Sequence, residues 1–334
     1  MTATEIEIPR SVFNFTGQMH IDTFSIRFEK VSIDFDRYDD LAVHGFRLAM
    51  EAIRLHADEF SYWQRRRPVG RPAHEERVVL IAFLVQQLMD LTFRQTEGML
   101  AMMQDYFSID RIPDHSTLCR KIQSGRFAVV LDRFFQHILS DLPTRKIVAS
   151  TDATGYSGRK RSWRETSHAK RATQDWIKAN VVIEVDEFII LAYFLSESNV
   201  HESQTFQNVW DRLPENVVPI RSLADSAYVG NDCLAVARQH GATPLHKIKK
   251  NAKLVLEPET LYQKLVNFAK HWPKRFAALT AKRAHSETVF SMLDALLSFR
   301  LRCRTKAGRK NEVRIKFCLF NLLQLAKREE HWSG

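Results

Sequence analysis

Cysteine is scarce in this chain, with four in 334 residues. They are also scattered, at Cys119, Cys233, Cys303 and Cys318, and no two form a CxxC pair. Neither a disulfide framework nor a zinc site is expected, and a reducing cytoplasm fits. Long apolar runs are missing too. The longest, Val78 to Val85, is far below the roughly 20 residues that cross a bilayer. Met1 to Ile8 shows no basic segment followed by an apolar one, so no signal peptide is expected. No internal repeat or low-complexity tract is visible. The expectation is a protein of the cytoplasm, without a membrane partner.

What the chain has is positive charge. Its net charge is +10, on an ordinary globular background of 45% hydrophobic and 26% charged residues. A length of 334 residues suggests about two domains and ample core. Excess Lys and Arg do not choose a fold, but they favour a polyanionic partner.

Residues 1 to about 40 have weak periodicity and read as an arm. Asp40 to Tyr62 reads as a helix. Arg65-Arg66-Arg67-Pro68-Val69-Gly70-Arg71-Pro72 then forms a basic linker, because two prolines and a glycine exclude a helix. Its Gly70-Arg71-Pro72 core partly matches sequences that enter narrow minor grooves; the alternative is a plain linker. Residues 75–91 and Thr92 to Tyr106 read as helices. Pro113 stops the chain, and Asp114 to Thr117 offers caps for a third helix carrying Arg120, Lys121 and Arg126. Three such helices predict a helix-turn-helix-like, DNA-contacting region, with a plain bundle as the alternative.

From Ile147 the pattern changes. Lys178 to Val185 and Phe188 to Leu195 are apolar, β-branched runs around Asp186-Glu187, as in a hairpin. His201 to Leu213 reads as a helix, Val217 to Asp225 as a strand, and Asn231 to His240 as a helix ended by Gly241. Pro244 to Ile248 is a further strand, and residues 259–272, 282–298 and 310–328 are helices. Strand, hairpin, helix, strand is the order of a ribonuclease-H-like sheet, in which the first and fourth strands are neighbours. The fold class predicted is α/β: a mixed sheet flanked by helices, with an N-terminal all-helical region. The boundaries are an arm, helix and linker at 1–72, a helical DNA-binding region at 73–142, a catalytic domain at 143–328, and a tail at 329–334.

That strand order brings acidic residues into play. Asp152 closes the run Ile147 to Thr151, Asp225 closes Pro219 to Ala224, and Glu287 lies four residues after Arg283 in a helical pattern. Two aspartates at neighbouring strand ends and a helical glutamate make a candidate oxygen cage for Mg²⁺ or Mn²⁺. Two such ions activate a nucleophile and stabilise a leaving oxygen. Asp as a turn residue and Glu as an ordinary helix residue are the competing explanations.

Basic segments surround the trio. Arg159, Lys160 and Arg161 follow the first catalytic strand, with Trp163 and Trp176 available for base stacking or core packing. Arg300 to Lys310 alternates Arg with apolar residues, which suggests an edge strand or extended loop along DNA, with Arg302 and Arg304 on phosphates. A solvated charge run is the alternative. His115 and His201 read as capping or hydrogen-bonded residues.

The blocks Thr151-Asp152-Ala153-Thr154-Gly155, Leu223-Ala224-Asp225-Ser226-Ala227-Tyr228 and Arg283-Ala284-His285-Ser286-Glu287 resemble the signatures of insertion-sequence DDE transposases, the group typified by insertion sequences four and five. The resemblance extends to Arg94-Gln95-Thr96-Glu97-Gly98, Ile112 to Leu118, Val200-His201-Glu202-Ser203, Lys249-Lys250-Asn251-Ala252-Lys253, and Asn311-Glu312-Val313 with Lys316 and Asn321. It covers roughly residues 70–328. It implies a catalytic, metal-binding triad at Asp152, Asp225 and Glu287, use of two Mg²⁺ or Mn²⁺ ions, and DNA contacts from Arg283, Lys249 and Lys250, with Lys282 as the candidate to stand in for the family's missing lysine.

The partners implied are double-stranded DNA, as terminal inverted repeats and target, and a second copy in a synaptic dimer. The setting implied is a prokaryotic cytoplasm, at the nucleoid. The activity implied is cleavage at element ends followed by strand transfer; the alternatives are a nuclease without joining activity, and a transposase-derived DNA-binding protein. Three positions depart from the family pattern: Thr280 replaces a tyrosine, Asp294 a lysine, and Glu202 the more frequent aspartate.

Overall fold

A computed structural model describes residues 35–60, 74–157, 176–197 and 199–329. By its contacts the chain divides after Phe46, within the first helix; the sheet and every later helix belong to the larger unit, Arg47–Gly334.

Five strands form one sheet: β1 (Arg145–Ser157), β2 (Trp176–Glu184), β3 (Ile189–Glu197), β4 (Val217–Ala224) and β5 (Thr243–His246), in the order β3-β2-β1-β4-β5. β1–β2 and β2–β3 pair antiparallel; β1–β4 and β4–β5 pair parallel. This is the mixed, ribonuclease-H-like sheet that the order of apolar runs predicts. β2 and β3 are buried almost throughout, which explains their unbroken Val and Ile runs. The hairpin between them turns without glycine. Glu184 accepts from the backbone N–H groups of Asp186 and Glu187, at 3.2 and 2.5 Å, and Phe188 takes φ 57°.

The helices before the sheet are α1 (Phe35–Glu59), α2 (Glu76–Leu88), α3 (Phe93–Met102), α4 (His115–Lys121) and α5 (Gly125–Ser140). Those after its first strands are α6 (Glu202–Trp210), α7 (Asn231–Gln239), α8 (Leu261–His271), α9 (Pro273–Thr280), α10 (His285–Leu297) and α11 (Lys306–Glu329). α3 opens on a capping box, Thr92 with Gln95, and Asp114 caps α4 by accepting from Thr117 N at 2.8 Å. α3 and α4 are joined through Met103 to Asp114, a longer link than the tight turn of a helix-turn-helix.

Two features depart from the predicted pattern. Arg126 lies on α5, not on the helix of Arg120 and Lys121, because the chain breaks between Ile122 and Ser124. Asn311 Nδ2 donates to the carbonyls that the break leaves open, Ile122 O at 2.8 Å and Ser124 O at 3.1 Å. The second is α9, which no apolar pattern announces; Trp272 joins it to α8, and Pro273 starts it as a first-turn proline.

One hydrophobic core joins α2 and α5 to the sheet through α11. α11 carries fully buried Phe317 and Phe320, and also polar residues that work as staples. Glu312 accepts from Arg302 N and Cys303 N, each at 3.0 Å. Lys316, 3% exposed, donates to the Ser298 carbonyl at 3.0 Å and to Leu297 O, closing the end of α10. Asn321 is fully buried and holds edge strand β3 twice: Oδ1 accepts from Ile190 N at 3.0 Å and Nδ2 donates to Ile190 O at 2.7 Å. Replacing Asn321 with Ala orphans a buried N–H and a buried C=O. It is expected to cost about 3 kcal/mol in denaturant unfolding; a loss below about 0.5 kcal/mol contradicts this role.

Candidate active site

The register of β1 and β4 sets the site. Thr151 pairs with Ala224 in parallel, so the next residues, Asp152 and Asp225, emerge side by side. The sequence predicts Asp152 at a strand end, but β1 runs on to Ser157, still paired with β2. What ends at Asp152 is the parallel pairing with β4. Asp152 therefore sits where β1 loses a neighbour and its carboxylate gains space. The extension makes one further bridge, from Ser157 to Arg300. Gly155 is needed in it for close approach: a β-carbon there would lie 2.6 Å from Trp176 Cε3. Trp176 thus packs on the strand; Trp163 lies outside the described residues.

Consecutive strand residues face opposite ways, and each here meets a different helix. Thr151 Oγ1 accepts from Trp210 Nε1 of α6 at 3.0 Å. Asp152 Oδ2 accepts from Ser286 Oγ of α10 at 2.9 Å, and its Oδ1 accepts from Ala153 N at 2.8 Å. Ser286 is fully buried and also lies 2.8 Å from Arg283 O, so its single hydroxyl proton is shared between the two. Burial pushes the Asp152 carboxyl above the usual range; the Ala153 and Ser286 bonds and Arg283 oppose this, and the Asp225 charge adds to it. Asp225 Oδ1 accepts from Ala227 N at 2.6 Å, which caps the short 3₁₀ turn Ser226–Tyr228.

Glu287 lies in the first turn of α10, one residue after the Ser286 contact. Its side chain is 67% exposed and leans to Arg283 Nη2 at 3.4 Å. Among the described residues, the group of ligand-bearing side chains whose donor atoms all lie within 4.8 Å of one another is elsewhere, on α1 and α5. The three carboxylates are thus not closed to that distance, and Glu287 is the open member.

Sequence reasoning missed several supporting residues. Tyr228 is buried, 3.5 Å from Asn180 Oδ1, and its hydroxyl is pushed well above the usual range by burial and by the charges of Glu202, Asp152 and Asp225. It stays protonated. Glu202 therefore reaches the same acidic cluster, and it pairs with Lys178 at 3.6 Å. His246 Nδ1 donates to Tyr228 O at 2.9 Å while Nε2 accepts from Ser222 Oγ at 2.8 Å, so it is a neutral imidazole bracing the turn after Asp225. Ser286 stands inside a signature block; Asn180 and His246 acquire meaning only through the sheet.

The remaining predicted residues separate. Lys249 and Lys250 are exposed on a segment that starts beside Asp225, where Lys247 N donates to Ala224 O at 2.9 Å. Arg304 is exposed. Arg302 instead binds the α2–α3 turn, donating to Leu91 O at 2.5 Å and Asp90 O at 2.8 Å. Lys282 pairs with Asp186. Arg120 folds back on its own helix, to Ser116 O and Thr117 Oγ1, both at 3.3 Å, and Lys121 closes the same helix. His201 caps α6, and His115 bonds Glu97 at 2.9 Å. Asp294 Oδ1 accepts from Phe299 N at 2.7 Å, and Thr280 Oγ1 donates to Phe276 O at 2.9 Å, so these two of the three departures have local structural partners. Arg71, Arg159, Lys160 and Arg161 lie outside the described residues.

The β1–β4 register and the Ser286 contact thus bring two aspartates and the helix that carries Glu287 to one end of the sheet. Residues 143–322 match the family described as the transposase DDE domain, over half of the chain, and the chain belongs to this family. Its class is therefore that of proteins that cleave and transpose DNA. No curated protein matches it. No helix among the described residues is long and apolar enough to cross a membrane.

Burial lowers the His246 pKa from 6.5 to about 4. The unfolded chain binds this proton more tightly, so His246 contributes full stability above about pH 6.5 and progressively less as pH falls toward 4. The loss is about 3 kcal/mol across that window. Unfolding titrations of wild type and His246→Gln are expected to show a shallower acid slope in the variant; parallel slopes contradict it.

Proposed function

We propose that this chain is a transposase of the group typified by insertion sequences four and five. Its single active site cuts at the ends of a DNA element and joins the freed 3′ ends to target DNA. The observation that supports this is that Asp152 and Asp225 each directly follow the last parallel pair, Thr151 with Ala224, with α10 anchored on Asp152 through Ser286. Two adjacent carboxylates in a partly buried place, with Arg283 as the nearby cation, form an oxygen-rich donor set that suits Mg²⁺ or Mn²⁺.

Asp152 and Asp225 would hold the metal from the sheet, and Glu287 from the helix once it turns away from Arg283. Two such ions held there would supply activation of the attacking oxygen and stabilisation of the leaving oxygen. Arg283, released by Glu287, takes a phosphate oxygen as a charge-assisted partner. Ser286 keeps Asp152 oriented, and Tyr228, protonated, adds no negative charge beside the two aspartates. In cleavage, water attacks the phosphodiester and the 3′ oxygen leaves. In transfer, that 3′-OH attacks a target phosphodiester and a target 3′ oxygen leaves, so no covalent protein intermediate is required.

Lys249 and Lys250, exposed after β5, and Arg304, exposed before α11, are the proposed phosphate contacts among the described residues, and Arg71, Arg159, Lys160 and Arg161 are proposed with them from the sequence. Arg302 and Lys282 join it only by giving up Asp90 and Asp186. Residues 73–142 are proposed as the DNA-binding region and 143–328 as the catalytic one. A groove lined by Thr92, Phe93, Arg94, His115, Ser116, Cys119 and Arg120 offers Arg94 to the backbone, with Arg120 joining it only by leaving Ser116 O and Thr117 Oγ1, and supports the first assignment. Bringing two element ends together calls for a dimer.

The test uses full-length protein, Mg²⁺ and pre-cleaved 3′ ends cut from the DNA flanking its gene, where inverted repeats are expected. Wild type is expected to join the 3′ end to target DNA. Asp152→Asn and Glu287→Gln are expected to join about 1000-fold less, roughly 4 kcal/mol of transition-state stabilisation, with DNA affinity unchanged. Full joining by Asp152→Asn would falsify the assignment. Cleavage without joining by wild type points to a nuclease, and neither reaction to a DNA-binding derivative.

A further inference from the structure

Cysteine spacing gives no reason to expect zinc, yet a different ligand set gathers on helices that carry none of the acidic trio. His56 and Glu59 stand three residues apart on one face of α1, and His137 stands on α5. Their ligand atoms all lie within 4.8 Å of one another. A tetrahedral metal with bonds of about 2.0–2.1 Å needs neighbouring ligands about 3.3 Å apart, so small side-chain rotations close the site.

Three independent features point the same way. His137 Nε2 is buried and has no hydrogen-bond partner, a costly state for a ring nitrogen that a metal bond would relieve. The two rings meet edge to face with centroids 5.8 Å apart, so two imidazoles from different helices converge on one place. Each histidine also lies in the last turn of its helix, so two negative helix ends meet there and favour a cation. Phe60 and Phe134 wall the site with apolar surface, their rings 5.5 and 6.2 Å from that of His137. Glu59 is exposed and gives an entering ion a route. Asp141 Oδ2, 3.6 Å from His56 Nδ1, is available as fourth ligand or as the carboxylate that orients His56.

We infer that His56, Glu59 and His137 form a structural site for Zn²⁺ or a similar borderline divalent ion, clamping the end of α1 to α5. Two imidazoles and one carboxylate select such ions over Mg²⁺, which prefers oxygen and water. The site is separate in elements and in ligand chemistry from the acidic trio.

Full-length protein is stripped with chelator, dialysed, and titrated with ZnCl₂ in excess MgCl₂. Bound zinc is read by elemental analysis and stability by Tm. The expectation is one zinc per chain with a raised Tm. His137→Gln is expected to abolish both. Glu59→Gln, on the surface and harmless to folding, is expected to weaken zinc about 10-fold or more. Asp152→Asn is expected to keep the zinc, which separates this site from the proposed catalytic one. No bound zinc in wild type overturns the inference. So does zinc held equally by Glu59→Gln and His137→Gln, or zinc lost only in Asp152→Asn.

Discussion

The Ser286 hydroxyl on Asp152 is the contact on which the site depends. Without it α10 has no polar anchor on β1, and Glu287 has no fixed distance from the two aspartates. The contact is short, 2.9 Å, and lies between a fully buried serine and a partly buried carboxylate, where a hydrogen bond to a charged group is worth about 1.5–3 kcal/mol. It couples strand register to chemistry. Parallel pairing of Thr151 with Ala224 makes the aspartates neighbours; Ser286 adds the helix.

A second layer holds α10 in place. His285 Nδ1 donates to Val185 O at 2.6 Å and Lys282 pairs with Asp186, so the approach to α10 rests on the β2–β3 turn. At its other end Lys316 and Asp294 close the helix against α11 and Phe299. The order of the sheet, the core through α11 and the position of Glu287 are therefore one mechanical unit. The Glu287 side chain itself keeps room to move, since it is exposed and held by a single long contact to Arg283.

Much of this is legible in the amino-acid sequence. β2 and β3 stand out as unbroken apolar runs because both faces are buried, and the strand order follows. Asp152 and Asp225 stand out because each follows an apolar run. The continuation of β1 past Asp152 is not legible: Thr154, Gly155 and Ser157 look like turn residues, and only pairing with β2 and packing of Trp176 on Gly155 make them strand. α5 is hidden because Gln123-Ser124-Gly125 breaks a helix only when Asn311, 187 residues on from Ser124, caps the open carbonyls. Signature residues on α11 look functional and are structural staples. The arginine-rich segment after α10 looks like a uniform phosphate track, yet Arg302 is bound to Asp90 while Arg304 stays exposed. Charge in a sequence does not say which cations already have partners.

The central claim is that one carboxylate cage is built by β1, β4 and α10. Anomalous diffraction from crystals soaked in Mn²⁺ tests it most directly. The account predicts manganese density bounded by Asp152, Asp225 and Glu287, with Glu287 turned from Arg283. Density bound without Asp152 or Asp225, or a Glu287 still paired with Arg283 beside an occupied site, would contradict it.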